Sequence, residues 1–285
     1  MKKFNRIFVM SVMITVLMCS ASVQAFAAAS VPSISTDVVY DANGITISTA
    51  KLKYDKSWGG YYTLDAVITN KSAMDINYEL QYIKINGFQI PTFCFGDVYS
   101  GMSADMEISC EADRLTLANI EHIMEIEVCI RLSESDNYGN IIDMPVFTIY
   151  TSDADKYEQS YEFNGKEVYN ANGIRILARL GNSNESFPVL LYVDNNSGKT
   201  VSMMYDDIAI NNKMVMEMMS CAEVVSPAIQ VVEMDRTMLT MWDDDVPTNK
   251  DISVVDFKLS FLPKDDDGSF STANLYYSDR ITVGR

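Results

Sequence analysis

One histidine serves a chain of 285 residues. A Ser-His-Asp or Cys-His relay, or an imidazole-based metal site, would have to pass through His122. Cysteine is scarce too, with Cys19 near the start and Cys94, Cys110, Cys129 and Cys221 further on. Positive charge is in short supply: 22 Lys and Arg stand against 39 Asp and Glu, for a formal net charge of −17. Such a surface repels phosphate backbones and anionic head groups, so nucleic acid and membrane surfaces are poor partners. Beyond the first 27 residues no apolar run is long enough to cross a bilayer.

Residues 1–27 read as a signal peptide. Lys2, Lys3 and Arg6 form a basic start, residues 7–17 are apolar, and Ala25-Phe26-Ala27 places small residues before a cut at Ala28. Cleavage would take the net charge from −17 to −20. A lipid anchor on Cys19 ranks second, because Met18 stands where such signals want a small residue. Export permits disulfides. Three of the later cysteines fall in one half of the chain and one in the other, which argues against a shared disulfide framework.

What is present is a repeat. Tyr40-Asp41-Ala42-Asn43-Gly44-Ile45 returns 129 residues later as Tyr169-Asn170-Ala171-Asn172-Gly173-Ile174. Asn-Gly tolerates positive φ and marks a tight hairpin. Asn70-Lys71-Ser72 matches Asn195-Asn196-Ser197, and Ile85-Asn86-Gly87 matches Ile210-Asn211-Asn212. Between these turns the apolar period is two, the mark of half-buried strands. Leu64, Ala66 and Ile68 correspond to Val189, Leu191 and Val193. Ile126, Val128, Ile130 and Leu132 correspond to Val255, Phe257, Leu259 and Phe261.

About seven short strands per copy predict an all-β protein of two tandem immunoglobulin-like β-sandwiches. The expected division is residues 28–150 for the first sandwich, 151–166 for a linker and 167–285 for the second. Only residues 114–121 and 235–241 look helical. The order Ala-Asn-Gly-Ile, Asn-x-Ser turn, Ile-Asn-Gly and acidic-apolar strand resembles a recurrent domain of exported, often lipid-anchored proteins of Gram-positive gut anaerobes. The resemblance covers both halves and implies the immunoglobulin-like fold. It implies no activity, so it carries over no functional residue.

Candidate sites follow from chemistry. Trp58, Tyr61 and Tyr62 lie in an insertion found only in the first copy, and exposed aromatics there would suit sugar faces or a protein partner. Asp265, Asp266 and Asp267 before Gly268 have the charge for calcium, but not the alternate spacing of an EF-hand, and Asp-Gly is itself a hairpin turn. The thioethers of Met214, Met216, Met218 and Met219 near Cys221 could hold copper(I), although packing explains them as well. Cys129 points outward by the strand alternation and could bridge to Cys94, while Cys110 should be buried. Glu125/Glu127 and Asp243-Asp244-Asp245 read as solvated carboxylates rather than a glycosidase pair.

The expected function is non-enzymatic binding or scaffolding, secreted or at the cell surface, with no cofactor and a protein or glycan partner. A carbohydrate-binding module is the first alternative; a metal-binding protein or hydrolase is the next.

Overall fold

The structure, a computed structural model, describes residues 31–215, 221–234, 236, 239, 246–265 and 268–285, with the backbone alone for Trp58 and Cys221. It is built of strands. The first half runs β1 (Val38–Ala42), β2 (Ile45–Asp55), β3 (Tyr61–Asn70), β4 (Ile76–Ile85), β5 (Phe88–Gln89), β6 (Phe95–Val98) and β7 (Ser103–Glu111). A short helix, α1 (Ala112–Leu117), leads to β8 (Glu125–Glu134), β9 (Asn137–Asp143) and β10 (Val146–Tyr150). The second half repeats the series as β11 (Lys166–Ala171), β12 (Ile174–Leu180), β13 (Val189–Asn195), β14 (Val201–Ile210) and β15 (Lys213–Met214). It ends with β16 (Cys221–Val224), β17 (Ala228–Glu233), β18 (Val254–Pro263), β19 (Tyr276–Tyr277) and β20 (Ile281–Gly284).

The repeated turns fold alike. Asn43 and Gly44 have φ of 55° and 73°, and Asn172 and Gly173 have 54° and 75°, the left-handed pair that closes a two-residue hairpin. Both hairpins bulge at the same place, between Val38/Tyr40 and between Glu167/Tyr169. The recurring Tyr has a role in the motif: the Asn43 amide donates to the Tyr40 hydroxyl (3.4 Å) and Asn172 to Tyr169 (3.5 Å). Gly173 is also pressed against the next turn, since a Cβ there would sit 2.7 Å from Ser197 Cα.

Two further asparagines brace each half. Asn70 is fully buried at the end of β3; its Nδ2 donates to Met74 O (2.7 Å) and Val98 O (3.0 Å), and its Oδ1 accepts from the Ser72 N–H and hydroxyl. Asn195 repeats this with Lys199 O, Val224 O and Ser197. Buried amides of this kind are tolerable because every polar atom finds a partner. Asn86 and Asn211, with φ of 50° and 49°, likewise hold the entries to β8 and β18.

A four-stranded sheet, β1-β2-β3-β7, covers the first core. A six-stranded sheet centred on β14 and β18 covers the second. Between them runs a ten-stranded sheet shared by both halves, of order β10-β8-β4-β5-β17-β13-β12-β11 with β6 beside β4 and β9 beside β8. The join is one parallel contact, with Phe88 of β5 opposite Ile229 of β17.

Among the described residues there are two apolar clusters. The first reaches across the join: Leu177, Leu190, Tyr192 and Val231, on the outer face of the second half, pack in the cluster that holds Leu115, Ala118 and Ile120. This is why β13 is buried on both faces, where a free sandwich would be wet on one. Residues 151–166, expected as a linker, are bonded to the body at several points. Gln159 Oε1 accepts from Asn86 Nδ2 (2.8 Å), and the Tyr161 ring stacks on Phe88 with centroids 5.6 Å apart.

Of the two expected helices, the first is observed a little earlier than read, as α1. Residues 235–241 lie mostly outside the described residues.

Candidate functional site

The two halves meet along a seam, and polar side chains from both line it. Lys84 on β4 and Glu125 and Glu127 on β8 come from the first half. Asp194 on β13 and Asn196 in the turn after it come from the second, and Tyr161 arrives from the connecting stretch. Together with Ala228 and Ile229 they enclose an open cleft of about 440 Å³. Strand alternation explains the walls. Glu125 and Glu127 share the face of β8 opposite Ile126 and Val128, which fill the first core.

The site is acidic with one cation. Lys84 Nζ lies 2.8 Å from Glu127 Oε1, and the lysine side chain is only 9% exposed. The same ammonium sits 4.9 Å from the Tyr82 ring centroid. Asn196 donates to Asp194 Oδ1 (2.7 Å), and the Tyr161 hydroxyl to Asn86 O (3.3 Å). Burial raises the Tyr161 phenol above its ordinary value, and Glu125 adds to the effect. Carboxylate and amide oxygens beside a half-exposed ring can accept hydrogen bonds from hydroxyls or ammonium groups while an apolar face stacks on the tyrosine.

The aromatics expected to bind behave differently. Trp58 lies in a 3-10 turn, Ser57–Gly59, between β2 and β3, and its side chain is outside the described residues. Tyr61 and Tyr62 are the first residues of β3 and are half-buried. Tyr62 packs on the first core, with its ring 4.8 Å from that of Tyr54. The freely exposed pair is Phe93 and Phe95, 80% and 69% exposed with centroids 6.5 Å apart, and sequence reasoning passed over it. Its only signal was two phenylalanines flanking Cys94 at an edge strand.

The bridge between Cys94 and Cys129 is corrected: both are free thiols, as is Cys110. Cys94 packs on the first core near Glu107, whereas Cys129 projects from the opposite face of β8. A sheet therefore separates the two sulfurs. Cys129 does point away from the sandwich interior, yet it is 3% exposed. Burial pushes its thiol up to about 11, with Glu127, Lys264 and Lys84 close enough to act on it. Cys110 is buried as expected, and burial pushes its thiol up to about 12.

Asp265 closes a hairpin. Its N–H donates to Ser269 O (2.7 Å), Gly268 N–H donates to its carbonyl (2.9 Å), and its carboxylate accepts from Asn274 Nδ2 (2.7 Å). Asp266 and Asp267 lie outside the described residues, as do Met216, Met218, Met219 and Asp243-Asp244-Asp245. Among the described residues no group of three or more His, Cys, Asp or Glu is placed to hold a metal ion. Met214 is exposed on the short strand β15.

His122 sits at the base of the first half, its ring stacked on Tyr157 at 3.4 Å between centroids. Its Nδ1 is 3.8 Å from Asp153 Oδ2, and Asp153 also takes Lys156 Nζ at 3.1 Å. Ser160 lines the same cavity of about 240 Å³, and its hydroxyl accepts from the Glu162 N–H (3.3 Å). The contacts tie the connecting stretch to the entry of β8.

No protein-family model and no curated protein matches the chain. Among solved structures, the YadV chaperone aligns with a TM-score of 0.27 and 11% identity, covering 82% of this chain and 98% of the chaperone. A protein of unknown function from Porphyromonas gingivalis W83 aligns with a TM-score of 0.24 and 8% identity, covering 85% of this chain and all of that one, at 100%. Likeness at this level carries no argument, and the class of the protein rests on its own strands: it is all-β. No described helix is long and apolar enough to cross a membrane.

Proposed function

We propose that this is an exported, non-enzymatic binding or scaffolding protein of the cell envelope or extracellular space. It is made of two tandem immunoglobulin-like sandwiches and is akin to the exported proteins of Gram-positive gut anaerobes that its turns resemble. The strand partition supports the fold reading. β2-β3-β7 face β4-β8-β10, and β12-β13-β17 face β14-β18-β20, a three-against-three core of the immunoglobulin-like kind, with β6 and β16 added beside β4 and β14. The basic, apolar and small-residue order of residues 1–27 supports export.

One observation carries the binding role: the cleft at the seam takes side chains from both halves, and ligand sites gather at such junctions. Its acceptors and its tyrosine face suit a hydroxyl-rich or ammonium-bearing ligand. Screening the protein against glycan and basic-peptide arrays, with Tyr161→Ala and Glu127→Gln beside the parent, tests this. Binding that both substitutions leave unchanged removes the seam as the site. Hydrolysis of any array member that disappears with His122→Ala would overturn the non-enzymatic reading.

A carbohydrate-binding role through loop aromatics is the second reading, and the exposed Phe93–Phe95 pair favours it. Glycan retention lost on Phe93→Ala or Trp58→Ala, but kept on Tyr161→Ala, would select it over the seam.

A further inference from the structure

A cleft of about 740 Å³ opens where the start of β11, the end of β12, the 3-10 turn Asn249–Asp251 and the end of β20 meet. It is larger than the seam cleft and falls within the about 300–1,000 Å³ of small-molecule sites. Among the described residues its lining holds four cations, Lys166, Arg179, Lys250 and Arg285, and no carboxylate side chain. On a chain where 39 acidic residues outnumber 22 basic ones, this is a local reversal of charge. It is also the opposite of the seam, where Lys84 stands among Glu125, Glu127 and Asp194.

The wall of this cleft is fixed by Asn249, which is 4% exposed. Its Nδ2 donates to Asn182 O (3.1 Å) and to Glu185 O and Phe187 O (both 2.8 Å), and its Oδ1 accepts from Arg236 Nη1 (3.3 Å). Gly181 belongs to the same fit, since a Cβ there would lie 1.9 Å from Phe187 O. Arg285 Nη2 donates to Asn249 O (2.7 Å), which seats the guanidinium at the cleft. The acids nearby in sequence are engaged away from it. Glu185 holds Arg179 through two bonds of 2.7 Å, Glu167 holds Arg175 (2.7 Å), and Asp251 accepts from Thr248 Oγ1 (2.6 Å). Most other described cations hold a carboxylate, as Lys53 does Asp65 (2.7 Å) and Lys258 does Asp207 (2.6 Å). Lys166, Lys250 and Arg285 line the cleft without an ion pair among the described residues.

We propose that this cleft binds a small polar anion carrying at least two negative charges, a phosphate ester or a polycarboxylate. Ammonium groups and a guanidinium fork both suit the oxygens of such an anion. With Glu185 set against Arg179, three positive charges remain, and two if a terminal carboxylate on Arg285 is counted as well. The amides of Asn164 and Asn182 and the Ser183 hydroxyl, in the same lining, can bond the hydroxyls of the ligand's frame. No aromatic ring lines the cleft among the described residues, so a nucleobase or a sugar face has nothing there to stack on. The charge of the whole chain limits the ligand's size. An anion held entirely within the cleft meets only its cations, since fields at the surface fade over about 8 Å in physiological salt. A nucleic acid or an anionic membrane would run on across a surface of net charge −17 and be repelled.

Calorimetric titration of the full mature chain with glycerol 3-phosphate and with citrate, at about 20 mM salt, reads the binding where screening is weak. The expected result is a dissociation constant below about 1 mM for at least one probe, and the tighter probe tells phosphate ester from polycarboxylate. The double variant Lys166→Gln/Lys250→Gln should weaken binding at least about tenfold, and about 1 M NaCl should abolish it in the parent. Both lysines are exposed and unpaired, so the variant should melt with the parent. Glu127→Gln at the seam should leave anion binding unchanged. Failure of both probes to bind at about 10 mM overturns the proposal. So does binding that the double variant retains in full. Heparin that binds more tightly than either probe would overturn the restriction to small anions and assign the cleft to a polymer.

Discussion

The seam between the halves hangs on Gln89, and removing its amide is the sharpest perturbation available. Gln89 is 8% exposed; its Nε2 donates to Glu223 O (2.8 Å), and its Oε1 accepts from Val225 N (2.8 Å). Gln89→Ala breaks both bonds and leaves an N–H and a C=O unmet at the join. Two net hydrogen bonds, with the desolvation left on their partners, amount to about 2–4 kcal/mol. At 1.4 kcal/mol per factor of ten, this weakens the coupling of the halves by about 30- to 700-fold. The Arg114–Glu233 pair (2.8 Å) also crosses the seam, but its arginine is 31% exposed and cannot replace the lost bonds. Calorimetry should show one transition for the parent, because the first apolar cluster includes residues of the second half, and two separated transitions for the variant. Faster exchange of the Val225 and Ile229 amides should accompany the split. A variant whose transition superimposes on that of the parent would refute the reasoning.

Asn70→Ala and Asn195→Ala should each cost about 2–5 kcal/mol, because each strands buried carbonyls that the amide now satisfies. Urea titrations that put either below about 0.5 kcal/mol would contradict the bracing role. In a Cys221→Ser background, Cys94 should react first with a thiol reagent, while Cys110 and Cys129 stay silent until unfolding, since burial holds both thiols far above neutral pH. Alkylation of unreduced, denatured protein that spares Cys94 and Cys129 would instead reveal a bridge. Burial, and then donation to Asp143, raise Tyr40 to about 12, and burial takes Tyr192 and Tyr276 to about 12 as well, against 10.0 for a free phenol. A raised folded-state pKa means stability intact below pH 10 and lost as pH climbs from there through 12. Tyrosinate absorbance that titrates at the free value with unchanged melting temperature would refute this.

The repeat was legible because turns are local. Asn43-Gly44 and Asn172-Gly173 need positive φ whatever surrounds them, and the inward residues of β3, β8, β13 and β18 follow from a period of two. Asn70 and Asn195 were legible only as turn residues. That they are fully buried braces depends on carbonyls 28 and 29 residues away, at Val98 and Val224. The seam cleft could not be read at all, because Glu127 and Asp194 look like ordinary solvent-facing carboxylates on their own strands. Cys129 shows the same limit: alternation turned it outward, and the sheet's far face buried it anyway.

By itself, then, the sequence determined the strands, their inward faces and the doubling of the unit, all of which arise from contacts within a few residues or across one hairpin. Only the tertiary structure decided that β5 meets β17, that one sheet spans both halves, and that β13 is covered on both sides. Those outcomes depend on how one folded half presents its surface to the other, and no local pattern encodes that.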